Sequence, residues 1–498
     1  MVKLNWKNKE TLNISRSEGH QNLEDFLEVE AFYLPYLLEY ENSNESWKNM
    51  LILGDNKVVL SNLIKTHKEK VKLIYIDPPF ATGTDFNYKI FIGENKDTHN
   101  AIAYTDIWKE GLESYLNFMY ERFIVMKELL SNEGSIYVHL DWHISHYIKV
   151  IMDEIFGVEN FRNEIIWAYP AASAQTRSFF IRSFDSILYY TKSDIYTFND
   201  DPNIYMEFSD RVKFALKRDE KGTYYYRGGS HDGKKLSQKV YVTKGGIFPR
   251  DVWTDIPYIR ANTPEYQGFS TQKPERLLKR IILASSNEND LIADFFCGSG
   301  TTIAVAEKLK RRWIGSDIAP HSIHMIRKRL LDLSSSNDIL NWNVKFDKTT
   351  RPFEILKINK AGVGCQIPQN FISKEVKDSN SFANKELASF NVDLKIKKNE
   401  VFIELNHYLN PNLDLLIKNI KDKLSNWQDW IDFWAVDFKS KGKTFKNMWC
   451  SYRTPKKRDI TLASNSFIYK KPGRYQISVK VVDILDIETV QDYNIDIV

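Results

Sequence analysis

The chain has 498 residues, 43% of them hydrophobic and 27% charged, and its formal net charge at pH 7 is +4. At this length two or three domains are expected, because one hydrophobic core rarely serves so long a chain, and the mildly basic charge alone identifies no nucleic-acid partner. No apolar stretch approaches the ~18 residues that span a bilayer, and the N-terminus lacks the apolar core of a signal peptide, so a cytoplasmic protein without membrane contact is predicted.

A polar, acidic N-terminal extension over residues 1–47 precedes the first clear pattern, VKLIYIDPPF at 71–80. The apolar run predicts a short parallel strand that is buried on both faces. Prolines cannot donate to a sheet ladder, so Pro78 and Pro79 end the strand and stiffen the backbone that follows. Asp77 is then held at the carboxyl end of a strand, where open α/β sheets bind their ligands. Taken alone, a strand followed by an ordinary proline turn is the better explanation of this segment.

Three histidines form the one cluster that invites a metal interpretation. His139 ends the predicted strand SIYVHL, while His143 and His146 fall on the helix after it. No cysteine accompanies them and there is no HExxH pattern, so we predict no metal site. The cysteines lie far apart in the sequence, at Cys297, Cys365 and Cys450. This spacing argues against a disulfide scaffold and against structural zinc.

Basic residues are concentrated between residues 211 and 250, where eleven of them face three acids and tyrosines are interleaved. Such a stretch can neutralise phosphates and place side chains in a groove of DNA. A solvated basic loop is the usual explanation of a charge run without context. The candidate DNA-binding residues are Arg227, Lys234, Lys235, Lys239 and Lys244.

The segment LIADFFCGSGTTIAVAEKL at 291–309 predicts a buried strand, a glycine turn and a helix. This combination forms a nucleotide-binding corner, because glycine lets a ligand approach the backbone closely. The turn lacks the lysine of a phosphate-binding GxxxxGK[ST] loop and the third glycine of a dinucleotide GxGxxG fingerprint. S-adenosylmethionine remains as a candidate, and Asp317, at the end of the next strand, suits ribose hydroxyls. A glycine turn without any ligand is the alternative.

Beyond residue 335, the sequence SSSND predicts a linker, and residues 336–498 predict a domain that is β-rich toward its end. The segment YKKPGRYQISVKVVD, with its Pro-Gly turn and alternating apolar residues, resembles the last hairpin of an immunoglobulin-like or PKD-like β-sandwich. That resemblance covers only about the last sixty residues.

The DPPF segment and DFFCGSGTT together resemble the amino-methyltransferases of DNA, in the permuted β-class order where the catalytic half comes first. The likeness runs through most of residues 48–332 and includes LILGDN and TQKP segments, and the chain resembles type III modification subunits and their solitary relatives. It implies a Rossmann-like α/β fold with a mostly parallel seven-stranded sheet. The expected parts are a catalytic half at 48–164, a target-recognition insert at 165–262 and a cofactor-binding half at 263–335.

The resemblance and the chemistry of amines assign roles to the DPPF residues. The adenine amine is a poor nucleophile, because its lone pair is delocalised into the ring. The carboxylate of Asp77 and the carbonyl oxygen of Pro78 can accept its two hydrogens and favour a more tetrahedral nitrogen. Asp77 is the natural proton acceptor afterwards. Pro79 belongs to the same corner, and Phe80 can stack on a base flipped from the duplex, although the family more often has tyrosine there.

The resemblance also implies a binding site for S-adenosyl-L-methionine. Asp317 would take the ribose hydroxyls, where glutamate is also common, and Asp55 would lie near the adenine ring. The turn around the methionine moiety would comprise Asp294, Phe296, Gly298, Ser299, Gly300 and Thr301. The segment that closes the methionine end would comprise Gln272, Lys273 and Pro274.

The sequence therefore predicts a site-specific DNA adenine-N6 methyltransferase, the modification component of a restriction–modification system. Cytosine N4 chemistry is the first alternative, although family members that act on cytosine tend to have serine in place of Asp77. A non-catalytic DNA-binding specificity subunit is the second. The expected partner is double-stranded DNA, and a helicase–nuclease restriction subunit or a second copy of the chain stays open. Since no GxxxxGK[ST] motif is present, DNA cleavage would need such a partner.

Overall fold

The structure is a computed structural model, and it describes the greater part of the chain. The described residues are 3–6, 9, 26–32, 47–94, 97–108, 111–169, 178, 180–208, 210–231, 234–242, 246–358, 388–411 and 418–498. Among the helices in these ranges, none is long and apolar enough to cross a membrane.

The strands and helices alternate over the first two thirds of the chain, and strands dominate the last third. The strands up to residue 358 are β1 Phe26–Phe32, β2 Asn49–Leu53, β3 Val71–Ile76, β4 Asp85–Ile92, β5 Asp97–Thr105, β6 Leu130–Leu140, β7 Phe161–Ala168, β8 Phe184–Thr191, β9 Lys217–Asp219, β10 Gly222–His231, β11 Lys234–Tyr241, β12 Val252–Trp253, β13 Leu291–Asp294, β14 Arg312–Asp317 and β15 Phe353–Ile358. The remaining strands are β16 Ser389–Lys397, β17 Glu400–Leu409, β18 Ile431–Asp437, β19 Phe445–Lys446, β20 Trp449–Tyr452, β21 Phe467–Ile468, β22 Gly473–Asp483 and β23 Glu488–Ile497. The α-helices are α1 Asn56–His67, α2 Leu112–Leu129, α3 Ser145–Phe156, α4 Asp210–Ala215, α5 Glu275–Ser285, α6 Thr301–Lys308, α7 Pro320–Leu331 and α8 Lys418–Lys421.

A central sheet of eleven strands carries the fold, in the order β12-β7-β8-β6-β3-β13-β14-β2-β15-β1-β19. The six strands from β6 to β15 in this order are all parallel to one another. Helices and loops cover both faces, since Leu73 and Tyr75 pack in one apolar cluster while Ile74 and Ile76 pack in another. The expected α/β class with a mostly parallel sheet is confirmed.

The sheet has eleven strands where seven were predicted, and the additional pairings come from distant parts of the chain. Strand β1, from the N-terminal extension, pairs with β15, and the two-residue strand β19 pairs with β1. Strand β7 crosses the expected boundary at 164/165, and β15 belongs to the central sheet although it lies beyond residue 335. A short strand can form by pairing with the free backbone N–H and C=O groups at the edge of a sheet. Its own sequence pattern therefore does not reveal it. The domain boundaries stay predictions.

The predicted strands around the site are confirmed, and they are neighbours. Strand β3 ends at Ile76, one residue before Asp77, while β13 and β14 end at Asp294 and Asp317. Because β3, β13, β14 and β2 are adjacent and parallel, their carboxyl ends meet at one edge of the sheet. The topology therefore brings together residues that are 240 positions apart in the sequence (317 − 77).

The C-terminal region forms two sheets, β16-β17-β21 and β20-β18-β22-β23, which we call the C-terminal sandwich. Buried residues of both sheets share one apolar cluster, which also includes residues of the hairpin β4–β5. The last hairpin is confirmed as β22–β23, but its turn lies between Asp483 and Glu488. The Pro-Gly pair at 472–473 instead stands where β22 begins, because proline is tolerated at the start of a strand.

Candidate active site

A cleft with about 1010 Å³ of empty volume, some of it open to solvent, lies at the carboxyl ends of β2, β3, β13 and β14. The hairpin β4–β5 contributes Tyr104 to its wall and α7 contributes His321. The predicted site residues that line the cleft are Asp55, Asp77, Pro79, Lys273, Asp294, Phe296, Gly298, Ser299, Thr301 and Asp317. The cleft thus joins two regions, which we call the DPPF corner (residues 77–82) and the glycine corner (residues 294–301 together with Asp317).

Asp77 has one carboxylate oxygen paired and one free. Its Oδ2 lies 3.0 Å from Nζ of Lys273, in a pair whose side chains are 19% and 10% exposed. Its Oδ1 is buried and has no hydrogen-bond partner among the described residues. A buried acceptor without a donor is costly, by about 1–3 kcal/mol, unless a ligand supplies the donor. The structure therefore presents an acceptor to whatever enters the cleft.

A second acid, Asp106, holds the backbone of the DPPF corner. The amides of Phe80, Ala81 and Thr82 donate to its carboxylate at 3.1, 2.9 and 2.8 Å, and the Trp108 indole donates at 3.1 Å. Asp106 is fully buried, and Ala81 has a φ of +55°, in the left-handed region. Successive amides that converge on one anion form a nest and fix such a turn. Sequence reasoning missed this residue.

Phe80 does not line the cleft itself but lies beside a buried polar group. Its ring is nearly parallel to the His139 imidazole, with centroids 6.2 Å apart and planes at 13°. His139 has no exposed surface; its Nδ1 lies 2.9 Å from the Tyr75 hydroxyl, and its Nε2 lies 2.9 Å from Asp185 Oδ2. The Tyr169 hydroxyl donates to the other oxygen of Asp185 at 3.0 Å. His139 thus joins Tyr75 to Asp185 and packs beside Phe80 in the DPPF corner.

Two glycines of the glycine corner adopt left-handed conformations that favour glycine. Gly298 has a φ of +49° and lines the cleft. Gly300 has a φ of +74° and immediately precedes α6, and a Cβ there would lie 2.5 Å from Ile326. Gly300 is absent from the cleft wall because it faces α7. Gly298 therefore serves ligand approach, whereas Gly300 serves helix packing.

The two acids of the glycine corner accept hydrogen bonds from the backbone. Asp294 accepts from the Phe296 amide at 2.9 Å. Asp317 accepts from the amides of Gly298 and Ala319 at 2.8 and 2.9 Å. Burial raises the pKa of Asp294 to about 7 and that of Asp317 to about 6. A bound cation would favour the charged form of both carboxyls, so the cleft suits a positively charged ligand.

A buried ion group holds the glycine corner from below, and sequence reasoning missed it as well. Glu275, 3% exposed, pairs with Lys308 at 2.6 Å and with Arg329 at 2.9 Å. Arg329 also donates to the Ser299 carbonyl oxygen at 3.0 Å and to the Thr301 hydroxyl at 3.1 Å. Burial alone would raise the pKa of Glu275, but the two cations lower it below its ordinary value. The turn is thereby tied to α5, α6 and α7.

The segment Gln272–Pro274 contributes a single side chain to the cleft. Lys273 pairs with Asp77, and its Nζ lies 5.3 Å from the centroid of the Phe80 ring. The Gln272 amide instead donates to the Glu265 carbonyl oxygen at 2.7 Å. Pro274 is the residue before α5 and lies outside the cleft wall. Gln272 and Pro274 therefore shape the approach of Lys273 and do not face the cleft.

Asp55 lies at the far end of the cleft, where it caps α1. Its Oδ1 accepts from the Lys57 amide at 2.8 Å and from Arg122 at 3.1 Å. Asn56 donates to the Phe295 carbonyl oxygen at 3.0 Å, which ties α1 to the glycine corner. Burial lowers the pKa of Arg122 to about 10.

The candidate DNA-binding residues lie on a separate three-stranded sheet, β11-β10-β9. Lys239 pairs with Asp219, and its Nζ lies 3.8 Å from the Tyr224 ring centroid. Arg227 is exposed on β10, and Lys234 and Lys235 belong to β11. Lys244 falls outside the described residues. In the described ranges, no three His, Cys, Asp or Glu side chains are grouped as a metal site requires.

Comparisons with known proteins agree with this geometry. A family model described as "DNA methylase" (N6_N4_Mtase) matches residues 71–328, from the start of β3 into α7. The type II methyltransferase M.EcaI of Enterobacter cloacae is 32% identical over 324 residues, covering 56% of this chain and 69% of that protein. The DNA adenine methyltransferase YhdJ of Escherichia coli K12 is 31% identical over 284 residues, covering 56% and 82%. The type III restriction-modification enzyme EcoP15I Mod subunit of E. coli is 27% identical over 234 residues, covering 42% and 36%.

Proposed function

The chain belongs to the DNA methylase family that matches residues 71–328, and we propose that it methylates the N6 amine of an adenine flipped out of duplex DNA. The observation that carries the proposal is the buried Oδ1 of Asp77, which lacks a donor among the described residues and belongs to the wall of the cleft between the two corners. An exocyclic amine would supply that donor. The target must leave the base stack to reach it, at a cost of a few kcal/mol.

Adenine is favoured over cytosine by the residue that opens the tetrapeptide. Asp77 is an acid, whereas members of the family that act on cytosine tend to have serine there. The relative at 31% identity is named as an adenine methyltransferase. A carboxylate accepts a hydrogen bond more strongly than a hydroxyl, and it can also take the proton that the nitrogen releases.

In this mechanism, the DPPF corner orients the amine before it reacts. Oδ1 of Asp77 and the carbonyl oxygen of Pro78 accept its two hydrogens, so the nitrogen becomes more tetrahedral and its lone pair is less delocalised into the ring. Lys273 keeps Oδ2 engaged at 3.0 Å, which leaves Oδ1 as the acceptor. When the nitrogen gains a methyl group it must lose one proton, and Asp77 accepts it. Phe80 lies outside the cleft wall, so in this mechanism it supports the corner by packing beside His139.

The residues of the cleft fit S-adenosylmethionine, which supplies an electrophilic methyl group on a sulfonium. Asp317 would hold the ribose hydroxyls, Asp55 would approach the adenine ring, and the backbone at Gly298 would lie along the methionine. Asp294 and Asp317 together give the cleft an acidic wall that attracts a cationic ligand. Burial is the main cause of the raised pKa values of both carboxyls, and an incoming positive charge would favour their charged forms, which fits this function.

Restriction–modification is the setting that this function suggests. One relative is named as the modification subunit of a type III enzyme. We propose that the chain is the modification component of such a system, that the sheet β11-β10-β9 contacts target DNA, and that any cleavage is done by a partner chain.

The test is chemical analysis of methylated DNA. Plasmid DNA from an unmethylated host is incubated with the protein and S-adenosylmethionine, digested to nucleosides and analysed by mass spectrometry. N6-methyladenine should appear with the wild type and be lost with Asp77→Asn. Accumulation of N4-methylcytosine instead would contradict the proposal.

A further inference from the structure

Eight exposed basic side chains are gathered on three loops of the C-terminal sandwich, counted with the adjoining ends of β16 and β22, at residues 397–399, 439–443 and 470–474. We call this surface the basic rim. Its cations are Lys397, Lys398, Lys439, Lys441, Lys443, Lys470, Lys471 and Arg474. None of the other residues in the three loops is an acid. The whole chain has a net charge of +4, so without the eight rim cations the rest of the molecule has a net charge of −4 (4 − 8). Positive charge is therefore concentrated locally at the rim.

Hydrogen bonds between the loops hold the rim together as one surface. The amide of Tyr469 donates to the Asn399 carbonyl oxygen at 2.9 Å, and the Asn399 side chain donates back to Tyr469 at 3.0 Å. The Ser440 amide donates to the Gln476 carbonyl oxygen at 3.0 Å. The first pair joins loop 397–399 to loop 470–474, and the second joins loop 439–443 to β22. Stretches that are far apart in the sequence are therefore held close together in space.

Two acids lie beside the rim, since Glu400 is opposite Lys397 and Asp496 is opposite Arg474 in the strand pairing, but the eight cations outnumber them. No ion pair links any of its eight cations to a carboxylate in the described part of the chain, whereas nearby Lys395 pairs with Glu404. Like charges that cluster without partners repel one another, and binding a polyanion relieves that repulsion. The three loops contain no aromatic residue, so the rim suits phosphates and lacks the rings that stack on bases.

The loop 439–443 approaches the edge of the central sheet at which the cleft opens, as the strand pairing shows. Strand β19 runs parallel to β1, with Phe445 opposite Glu30. The chain before Phe445 thus follows β1 back toward Phe26, and the Thr444 hydroxyl donates to the Glu28 carbonyl oxygen. Phe26 lies opposite Ile358, the last residue of β15. The carboxyl end of β15 lies at the same edge as those of β2, β14, β13 and β3.

We propose that the basic rim binds the phosphates of the DNA duplex whose target base occupies the cleft. Strands β3 and β1 are five positions apart in the sheet, which is about 24 Å at ~4.8 Å per strand. That distance corresponds to about seven base pairs at ~3.4 Å each. A duplex with its flipped base at Asp77 therefore extends far enough to reach the rim. The inference rests on the proposed function only in taking DNA as the substrate.

The experiment compares two triple variants of the full chain that lose the same charge. The rim variant is Lys441→Gln, Lys443→Gln and Lys471→Gln. The control variant is Lys65→Gln, Lys68→Gln and Lys70→Gln, three exposed lysines that precede Val71 and so lie at the opposite edge of the sheet. Fluorescence anisotropy with a labelled 30-base-pair duplex of arbitrary sequence gives the DNA affinity at three salt concentrations. Calorimetry with S-adenosylmethionine checks that both variants keep their cleft.

The rim variant should bind DNA more weakly, and its plot of log affinity against log salt should flatten by about 0.9 for each phosphate that is no longer neutralised, or about 2.7 for three. The control variant should retain the wild-type slope. A rim slope equal to that of the wild type, or equal changes in both variants, would overturn the inference. The slope is independent of methyl transfer, so a wild type that binds DNA but transfers no methyl group would count against the proposed function alone.

Discussion

The two corners of the cleft are built from similar residues but are held in opposite ways. In the glycine corner, the acids that face the cleft are themselves fastened, because Asp294 and Asp317 accept hydrogen bonds from backbone amides. In the DPPF corner, the backbone is fastened by a different acid, Asp106, and Asp77 keeps one oxygen without a donor among the described residues. One corner uses its carboxylates to shape a pocket, whereas the other reserves a carboxylate for the ligand.

This difference indicates where chemistry and where binding reside. A group that must accept hydrogens from a reacting amine cannot also be saturated by the protein, so its support must come from elsewhere. A group that recognises a hydroxyl can be fixed by amides and still accept another hydrogen bond, since a carboxylate has about four acceptor sites. We therefore expect changes at the DPPF corner to affect the rate of transfer, and changes at the glycine corner to affect cofactor affinity and stability.

The largest effect should come from Asp77→Asn. The amide retains the shape of the side chain but presents a weaker acceptor and cannot take the proton, so the rate of methyl transfer should fall about 10²–10⁴-fold. Incorporation of radiolabelled methyl groups into plasmid DNA measures this rate. Asp85→Asn, an exposed aspartate at the start of β4, is the matched control and should keep wild-type activity. A rate within tenfold of the wild type would remove Asp77 from the chemistry.

Next in size is the effect of Lys308→Met on stability. The substitution leaves Glu275 buried with Arg329 as its remaining cation, and breaking a buried pair costs about 3–5 kcal/mol in the free energy of unfolding. Urea denaturation measures the change. Lys57→Met breaks an exposed pair with Glu121 and should cost less than about 1 kcal/mol. Equal losses in the two variants would show that the ion group does not hold the glycine corner.

Asp317→Asn should weaken cofactor binding by a smaller amount. Hydrogen bonds to a charged group contribute about 1.5–3 kcal/mol, so the dissociation constant for S-adenosylmethionine should rise about 10- to 150-fold. Isothermal titration calorimetry measures it. The transfer rate at saturating cofactor should change little. An unaltered dissociation constant would place the ribose elsewhere in the cleft.

The smallest effect concerns pH. Burial raises the pKa of Asp317 to about 6, so its carboxyl gains a proton as the pH falls through 6 and loses the charge that holds the ribose. Cofactor affinity of the wild type should therefore decrease by up to about tenfold for each pH unit below 6, until it reaches the level of Asp317→Asn. Asp317→Asn should lose the component of this dependence centred near pH 6. If both proteins respond identically to pH, another group controls the binding.

Much of the central fold followed from sequence pattern, because its strands are short, apolar and bounded by special residues. Pro78 stopped β3 where predicted, and Gly298 and Gly300 form the turn that precedes α6. The number of strands did not follow, since β1 and β19 pair through backbone groups and carry little side-chain signal. The sandwich hairpin was predicted correctly, but Pro472 lies directly before a strand instead of in the hairpin turn, and a proline is tolerated in either position.

The site itself was predicted unevenly, and the reason is again physical. Most residues of the two motifs line one cleft as expected, whereas Phe80 and Gly300, for example, lie outside its wall. The residues that support them were missed because each lies in an ordinary context. Asp106 stands in a loop, where most acids are simply solvated, and Glu275 meets Lys308 and Arg329 only after folding. Such partnerships depend on three-dimensional proximity and leave no local signal.

The most direct test of the division between the corners is calorimetric titration of Asp77→Asn with S-adenosylmethionine, on the same sample whose methyl transfer has been measured. Asp77 should contact the target amine and only the edge of the cofactor. The dissociation constant should therefore stay within about twofold of the wild type, a free-energy change of roughly 0.4 kcal/mol, while transfer falls at least a hundredfold. A loss of affinity as large as that of Asp317→Asn would show that the DPPF corner acts through cofactor binding, and would contradict the division.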